Sequence, residues 1–340
     1  MGAGRAGEEP PVRAVVTGGG GFVGRALCEQ LVARGDEVVS LARGDYPELR
    51  ELGVQTVRCD LARGDADLAP VEGADVVFHV AARPGVWGSL ASYEAINVGG
   101  TERILAACRR YGVRRLVLTS SPSVVFDGAD HLDASNDLPY PDHYLAHYPE
   151  TKARAERMVL ASSGTELVTC ALRPHLVFGP RDPNLLPRLL DRARRGRLAI
   201  VGAGDNLVSM TFVDNAAHAH LAAADRLTPD APHAGRAYFI NQEEPVRLWD
   251  WIGGILRELE LPEVSRRVSA STAYRVGAAL EGLYRLLRLG SEPPMTRFVA
   301  TQLATSHTYS MEPACRDFGY EEQVDLAEAT RRTVEWFRPS

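Results

Sequence analysis

Thr17-Gly18-Gly19-Gly20-Gly21-Phe22-Val23-Gly24 follows the apolar run Ala14-Val15-Val16 and leads into a stretch of helical periodicity that stops at Gly35. A buried strand that turns sharply into a helix needs residues tolerant of positive φ, and Gly18, Gly21 and Gly24 supply them at GxxGxxG spacing. The same spacing leaves no side chain where a pyrophosphate would approach the backbone, and it points the N-terminus of the helix at that phosphate. A merely structural turn is the alternative. The strand before the glycines and the helix after them weigh against it, so Thr17, Gly18, Gly21, Phe22, Val23 and Gly24 are read as dinucleotide-binding residues.

Working outward, Arg13 to Thr17 reads as a strand, Val23 to Arg34 as a helix and Glu37 to Leu41 as a second strand. Thr56 to Cys59, Asp75 to Val80, Arg115 to Thr119 and Leu167 to Leu172 continue the series, with helices around Val98 to Tyr111 and Pro149 to Ala161. Short apolar strands alternating with helices predict an α/β fold with a Rossmann-type, doubly wound parallel sheet. Residues 1–12 read as a disordered leader and residues 13–180 as the dinucleotide-binding domain. From residue 181 on, Pro and Arg become frequent, and residues 181–340 read as a smaller substrate-binding region with a further strand at Ala237 to Ile240.

With 340 residues, 45% of them hydrophobic, the chain can bury a large core. Its net charge of -6 comes from interspersed acids and bases, which excludes the basic stripe of a nucleic-acid binder and favours a small-molecule partner. The five cysteines show neither zinc-site nor disulfide spacing, so no metal is expected and a reducing cytoplasm fits best. The first ten residues lack the apolar segment of a secretory signal.

NAD-preferring Rossmann proteins place a carboxylate at the end of the second strand for the ribose 2′-hydroxyl. Here that position is Ala42, followed by Arg43, whose guanidinium suits a 2′-phosphate. NADP(H) is therefore the preferred cofactor, with NAD(H) left open by the nearby Asp45. Asp60 and Leu61 after the third strand would meet the adenine, and the small Ala81 and Ala82 after the fourth would let the cofactor pass. Pro174, closing a later strand, completes the cofactor set.

Tyr148-Pro149-Glu150-Thr151-Lys152 sets a phenol and an ammonium one helical turn apart. Carbonyl reduction needs a proton donor, and a neighbouring cation, an oxidised nicotinamide and a helix N-terminus all favour the phenolate left after transfer. Lys152 is also expected to hold the ribose. A hydroxyl from Thr119-Ser120-Ser121-Pro122-Ser123 should bond the same substrate oxygen.

At these residues the chain resembles the extended short-chain dehydrogenase/reductase superfamily. The family's TGxxGxxG falls on Thr17 to Gly24 and its YxxxK on Tyr148 and Lys152, and the resemblance puts its catalytic serine on Ser121. Asn97, within Asn97-Val98-Gly99-Gly100-Thr101, matches a further segment, and both a helix cap and a part in the proton relay remain open for it. Arg173-Pro174-His175-Leu176-Val177-Phe178-Gly179-Pro180 and Thr211-Phe212-Val213-Asp214-Asn215 resemble the 3β-hydroxysteroid dehydrogenase group, including the decarboxylating sterol-4α-carboxylate 3-dehydrogenases. Gly85-Val86-Trp87-Gly88-Ser89 and Glu292-Pro293-Pro294-Met295 are most similar to bacterial 2-alkyl-3-ketoalkanoate reductases of long-chain olefin biosynthesis.

The resemblance implies an NADP(H)-dependent enzyme interconverting a hydrophobic 3-keto acid and its 3-hydroxy acid. Its alternatives are a sterol dehydrogenase, a nucleotide-sugar epimerase or dehydratase, and a non-catalytic NADPH sensor, the last disfavoured by intact Ser121, Tyr148 and Lys152. Arg83, Trp87, Ser123 and His175 are candidates for contact with a lipid-like substrate. Val276, Leu280, Leu283 and Leu287 share one face of a helical stretch from Ala273 to Leu289. That face would cover an alkyl chain, rest on a membrane surface or pack on its own core. A homodimer is also compatible with the sequence.

Overall fold

The computed structural model describes residues 11–338. Seven parallel strands form its centre: β1 (Arg13–Thr17), β2 (Glu37–Ala42), β3 (Gln55–Arg58), β4 (Val76–His79), β5 (Arg115–Thr119), β6 (Val168–Pro174) and β7 (Ala237–Ile240). They lie in the order β3-β2-β1-β4-β5-β6-β7. Val15 of β1 is in register with Val39 on one side and Val77 on the other, and all three are fully buried. Strands covered on both faces read as continuous apolar runs, which is why these segments show no alternation.

Helices α1 (Phe22–Arg34), α2 (Gly99–Tyr111), α3 (His147–Ala161) and α4 (Val213–Asp225) cover the sheet. The strand order reverses between β1 and β4, and a crevice opens there at the carboxyl ends of the strands. Helix α1 ends where Gly35 takes φ +93°, and its amide bonds the carbonyls of Leu31 and Val32. Helix α3 starts two residues earlier than expected, placing Pro149 third in the helix. Proline is tolerated in the first turn because amides there have no carbonyl partner within the helix.

The boundary expected at residue 180 needs correction, since β7 and α4 come from beyond it yet belong to the main sheet. Tyr238 of β7 registers with Leu172 of β6, and Gln30 of α1 donates to the Asp214 carbonyl of α4 at 2.8 Å. Residues 1–10 of the expected leader lie outside the described residues. Val12, its last residue, is tied to the sheet edge by an amide bond to Asp36 Oδ1 at 3.0 Å.

Two later helices flank the site, α5 (Ala270–Leu286) and α6 (Arg297–Ala304). Helix α5 packs through Ala273, Gly277 and Glu281, one residue per turn. A Cβ on Gly277 would stand 2.6 Å from the Thr296 carbonyl carbon, so only glycine permits this approach. Leu283, 46% exposed, and Leu287, 56% exposed, therefore point to solvent. The leucine face therefore does not pack on its own core, since the fold buries the seam of Ala273, Gly277 and Glu281 instead, and Leu283 lines neither of the two cavities. Leu283→Asp should leave the melting temperature within about 2 °C of the parent, because an exposed substitution costs within about 0.5 kcal/mol. Among the described residues no helix is long and apolar enough to cross a membrane.

Candidate active site

The crevice at the β1/β4 switch is a cleft of about 500 Å³. Gly18, Gly21, Phe22, Val23, Gly24, Arg43, Asp60, Leu61, Ala81, Ala82, Lys152 and Pro174 all line it, together with Ser121 and Tyr148. Gly18 has φ +72°, and a Cβ there would lie 2.9 Å from the Ala81 backbone; a Cβ on Gly24 would meet the Gly18 oxygen at 2.2 Å. The loop is thus pressed against both β4 and its own start, leaving a floor of bare backbone. That cradle, in a cleft that Asp60 and Arg43 also line, fits a dinucleotide.

Asp60 also serves its own loop, accepting from the Ala62 amide at 3.1 Å. Asp45, the residue that left cofactor choice open, is paired with Arg50. Tyr46 was not foreseen: it covers the glycine loop so closely that a Cβ on Gly20 would lie 2.1 Å from its ring. Only the folded loop brings it there.

Thr17 does not face the cleft, which corrects its assignment as a cofactor contact. It is fully buried, and its hydroxyl accepts from the Ala81 amide at 3.1 Å and meets His79 Nδ1 at 2.8 Å. His79 Nε2 meets the Thr101 hydroxyl at 2.9 Å, and that hydroxyl donates to the Asn97 carbonyl at 2.7 Å. A neutral imidazole donating through Nε2 and accepting at Nδ1 satisfies every group in the chain. Burial, helped by the Lys152 charge, pushes the His79 pKa down to about 3 and keeps the ring neutral.

Asn97 sits in a π-helical turn (Glu94–Val98). Its side chain accepts from the Arg83 amide at 2.8 Å and donates to the Thr151 hydroxyl at 3.0 Å, beside Lys152. It is thus a bridge between the β4 loop and α3, rather than a helix cap.

Ser121 follows β5 and caps a short 3₁₀ turn (Pro122–Val124). Its Oγ accepts from the Ser123 hydroxyl at 2.9 Å and the Ser123 amide at 3.2 Å. Ser123 is buried behind it and does not line the cleft, so its expected substrate contact is corrected to a hold on Ser121. Burial raises the Tyr148 pKa above its ordinary value, with the Ser121 hydroxyl as the opposing influence. The expectation that cationic neighbours set the phenol is corrected in the ligand-free chain: desolvation wins, and the phenol stays protonated.

Lys152, 3% exposed, donates to the Thr119 carbonyl at 2.6 Å, and burial lowers its pKa to about 8 against the pull of Glu156. Behind it Glu156 pairs with Arg173 at 2.7 Å, both charges out of water, and accepts from the hydroxyl of the half-buried Tyr140 at 2.6 Å. Arg173 therefore braces β6 to α3. On the other side, Thr119 Oγ1 meets His220 Nε2 of α4 at 2.7 Å.

Three further substrate candidates fall elsewhere. His175 is buried against His307, Nε2 to Nδ1 2.6 Å, and faces neither this cleft nor a second cavity beside it. Arg83 tucks under its own loop, its guanidinium 5.0 Å from the Tyr93 ring centre. Both assignments are corrected: each side chain is captured by a neighbour that sequence proximity does not reveal. Trp87 lines the second cavity.

A phenol, a serine hydroxyl and a buried ammonium around a dinucleotide cradle define an oxidoreductase of the extended short-chain dehydrogenase type, acting on CH–OH groups. A model of the 3-beta hydroxysteroid dehydrogenase/isomerase family matches residues 15–269, and the chain belongs to that family. It is 49% identical over 323 residues to a 2-alkyl-3-oxoalkanoate reductase of Stenotrophomonas maltophilia, covering 94% of this chain and 98% of that one. It is 37% identical to the decarboxylating sterol-4-alpha-carboxylate 3-dehydrogenase of Mus musculus, covering 96% and 91%. Among solved structures it is similar to MoeE5 in complex with UDP-glucose and NAD, with a TM-score of 0.71, 27% identity and coverage of 95% and 98%.

Proposed function

We propose that the protein is an NADP(H)-dependent reductase that interconverts a hydrophobic 3-keto acid of the 2-alkyl-3-oxoalkanoate type and its 3-hydroxy acid. The observation that carries this reading is the meeting of Tyr148, Ser121 and Lys152 in one cleft with the glycine loop, in a chain so similar to a 2-alkyl-3-oxoalkanoate reductase. A reduced nicotinamide dinucleotide, when bound, supplies a hydride. Tyr148 donates its proton to the carbonyl oxygen, Ser121 bonds the same oxygen, and the Lys152 charge stabilises the phenolate that results. Gly18, Gly24 and the start of α1 would hold the pyrophosphate, and Lys152 the ribose.

Arg43 supports the phosphorylated cofactor, because it lines the cleft while Asp45 is occupied by Arg50. Arg43→Ala should lower kcat/KM about tenfold or more for NADPH and much less for NADH, the value of one charge-assisted contact. Equal losses for both cofactors would remove Arg43 from phosphate recognition.

The reading itself is tested by following NADPH oxidation with 2-alkyl-3-keto acids of increasing chain length, 3-ketosteroids and sugar nucleotides. It expects the keto acids to be reduced best and kcat/KM to rise with chain length, since each buried methylene is worth about 0.8 kcal/mol. Turnover confined to the steroids would replace it with the sterol reading.

A further inference from the structure

Large apolar side chains left in water are few in this protein, and they are not scattered. Of the nine exposed among the described residues, six lie between Tyr274 and Leu289, on α5 and the turn after it. Helix α5 buries Ala273, Gly277 and Glu281 against the body of the protein, and its opposite side is left without a partner. Val276, Leu283, Leu286 and Leu287 stand there at helical spacings of three, four and seven residues. Leu286 is 79% exposed, and none of these four side chains lines the cofactor cleft or the cavity beside it.

The far end of this face is held in place. Arg288 takes φ +52° just beyond the last turn, the Leu289 amide bonds the Tyr284 carbonyl at 2.9 Å, and Trp87 Nε1 donates to the Leu289 carbonyl at 3.3 Å. The edge of Tyr284 meets the Trp87 ring at 6.1 Å. The leucines therefore form a fixed ridge.

Charge is distributed as unevenly as apolar surface. Residues 264–291 carry five arginines, Arg266, Arg267, Arg275, Arg285 and Arg288, and one acid, Glu281, in a chain whose net charge is -6. All five arginines are exposed. Glu281 is buried, and its carboxylate accepts from the Arg297 amide at 2.7 Å and the Arg297 guanidinium at 2.8 Å, so no exposed acid stands on the ridge.

An apolar helix face bordered by arginines matches the boundary of an anionic bilayer, where leucines enter the acyl layer and guanidinium groups stay level with the phosphates. A second copy of the chain fits less well, because a two-fold contact through this face would bring the arginines of both copies together. We propose that α5 and the turn after it dock the protein on an anionic lipid surface, with the leucine face in the acyl region and the arginines at the headgroups. The proposal stands apart from the keto acid reading, since it concerns where the protein sits and needs no substrate to be tested.

The test is co-sedimentation of the full-length protein with vesicles of phosphatidylcholine alone or with about 30% phosphatidylglycerol. The parent should bind the anionic vesicles about tenfold or more tightly than the neutral ones, and raising salt from about 50 to 500 mM should remove most of that preference. Leu283→Asp with Leu286→Asp should weaken binding to the anionic vesicles about tenfold or more, and Arg275→Gln with Arg288→Gln about fivefold. Melting temperature, read alongside, separates a folded variant that no longer docks from an unfolded one. The single Leu286→Asp, at the most exposed position, should still weaken binding about threefold in a fully folded protein. No binding by the parent, or equal binding by parent and leucine variants, would overturn the proposal. A parent that stays off both kinds of vesicle but forms a dimer that Leu286→Asp dissociates would also overturn it, and would assign the face to a second copy.

Discussion

Tyr148→Phe is expected to lower turnover by about 10²-fold or more in the reducing direction, with cofactor affinity within about twofold of the parent. The substitution deletes one oxygen and keeps the ring, so the packing at the start of α3 survives while the proton donor is lost. Because burial raises the Tyr148 pKa, the donor stays protonated throughout the neutral range. Parent activity in this direction should therefore hold a plateau across neutral pH and decline on the alkaline side, first as Lys152 loses its charge near pH 8 and then as the phenol ionises. The measurement is kcat against pH for both proteins, alongside cofactor titration. Near-parental kcat in the Phe variant would remove Tyr148 from the chemistry.

Lys152→Met is expected to abolish most activity and yet make the ligand-free protein more stable at pH 7, by about 3 kcal/mol. The ammonium is buried at a cost: its pKa is down from 10.5 to about 8, and a tenfold change in an acid dissociation constant corresponds to about 1.4 kcal/mol. Below pH 8 the lysine is charged in both folded and unfolded chains, so the folded state carries the full penalty. Between about pH 8 and 10.5 the folded chain releases the proton and the unfolded chain keeps it. Parent stability then climbs relative to the variant, and the difference closes above that window. Denaturant midpoints at pH 7 and pH 10 measure both ends. An unchanged or lowered stability at pH 7 would show that the bond from Lys152 to the Thr119 carbonyl outweighs desolvation.

The glycine loop and the Tyr148/Lys152 pair were legible because their chemistry is local: a turn needs its glycines in sequence, and a helix brings residues four apart onto one face. The doubly wound parallel sheet followed from short apolar runs separated by helices. What depended on distant neighbours was not legible. His175 looked available until His307, from the far end of the chain, was found against it, and Ser123 looked like Ser121 until the 3₁₀ turn placed one behind the other. The α5 leucines showed the expected periodicity, yet their direction was set by Gly277, whose closeness to Thr296 rotates the helix so that the small residues face in. His79 drew no reading of its own, and for Asn97 the sequence left a helix cap and a part in the proton relay both open. Their continuity through Thr101 exists only once β4, the π-helical turn and α3 are assembled.

The return of the chain to the main sheet at β7 bears on how the protein is made. β6 has one neighbour in β5, and its other edge stays unpaired until Ala237–Ile240 has been synthesised. On the ribosome, the nascent nucleotide-binding half thus carries an open, buried-to-be strand edge while residues 175–236 are added, and such an edge is a template for pairing with another chain. Gene fragments ending near residue 180 should for this reason express as inclusion bodies, whereas a break point for splitting or fusing the protein belongs after β7, once the edge of β6 has been closed.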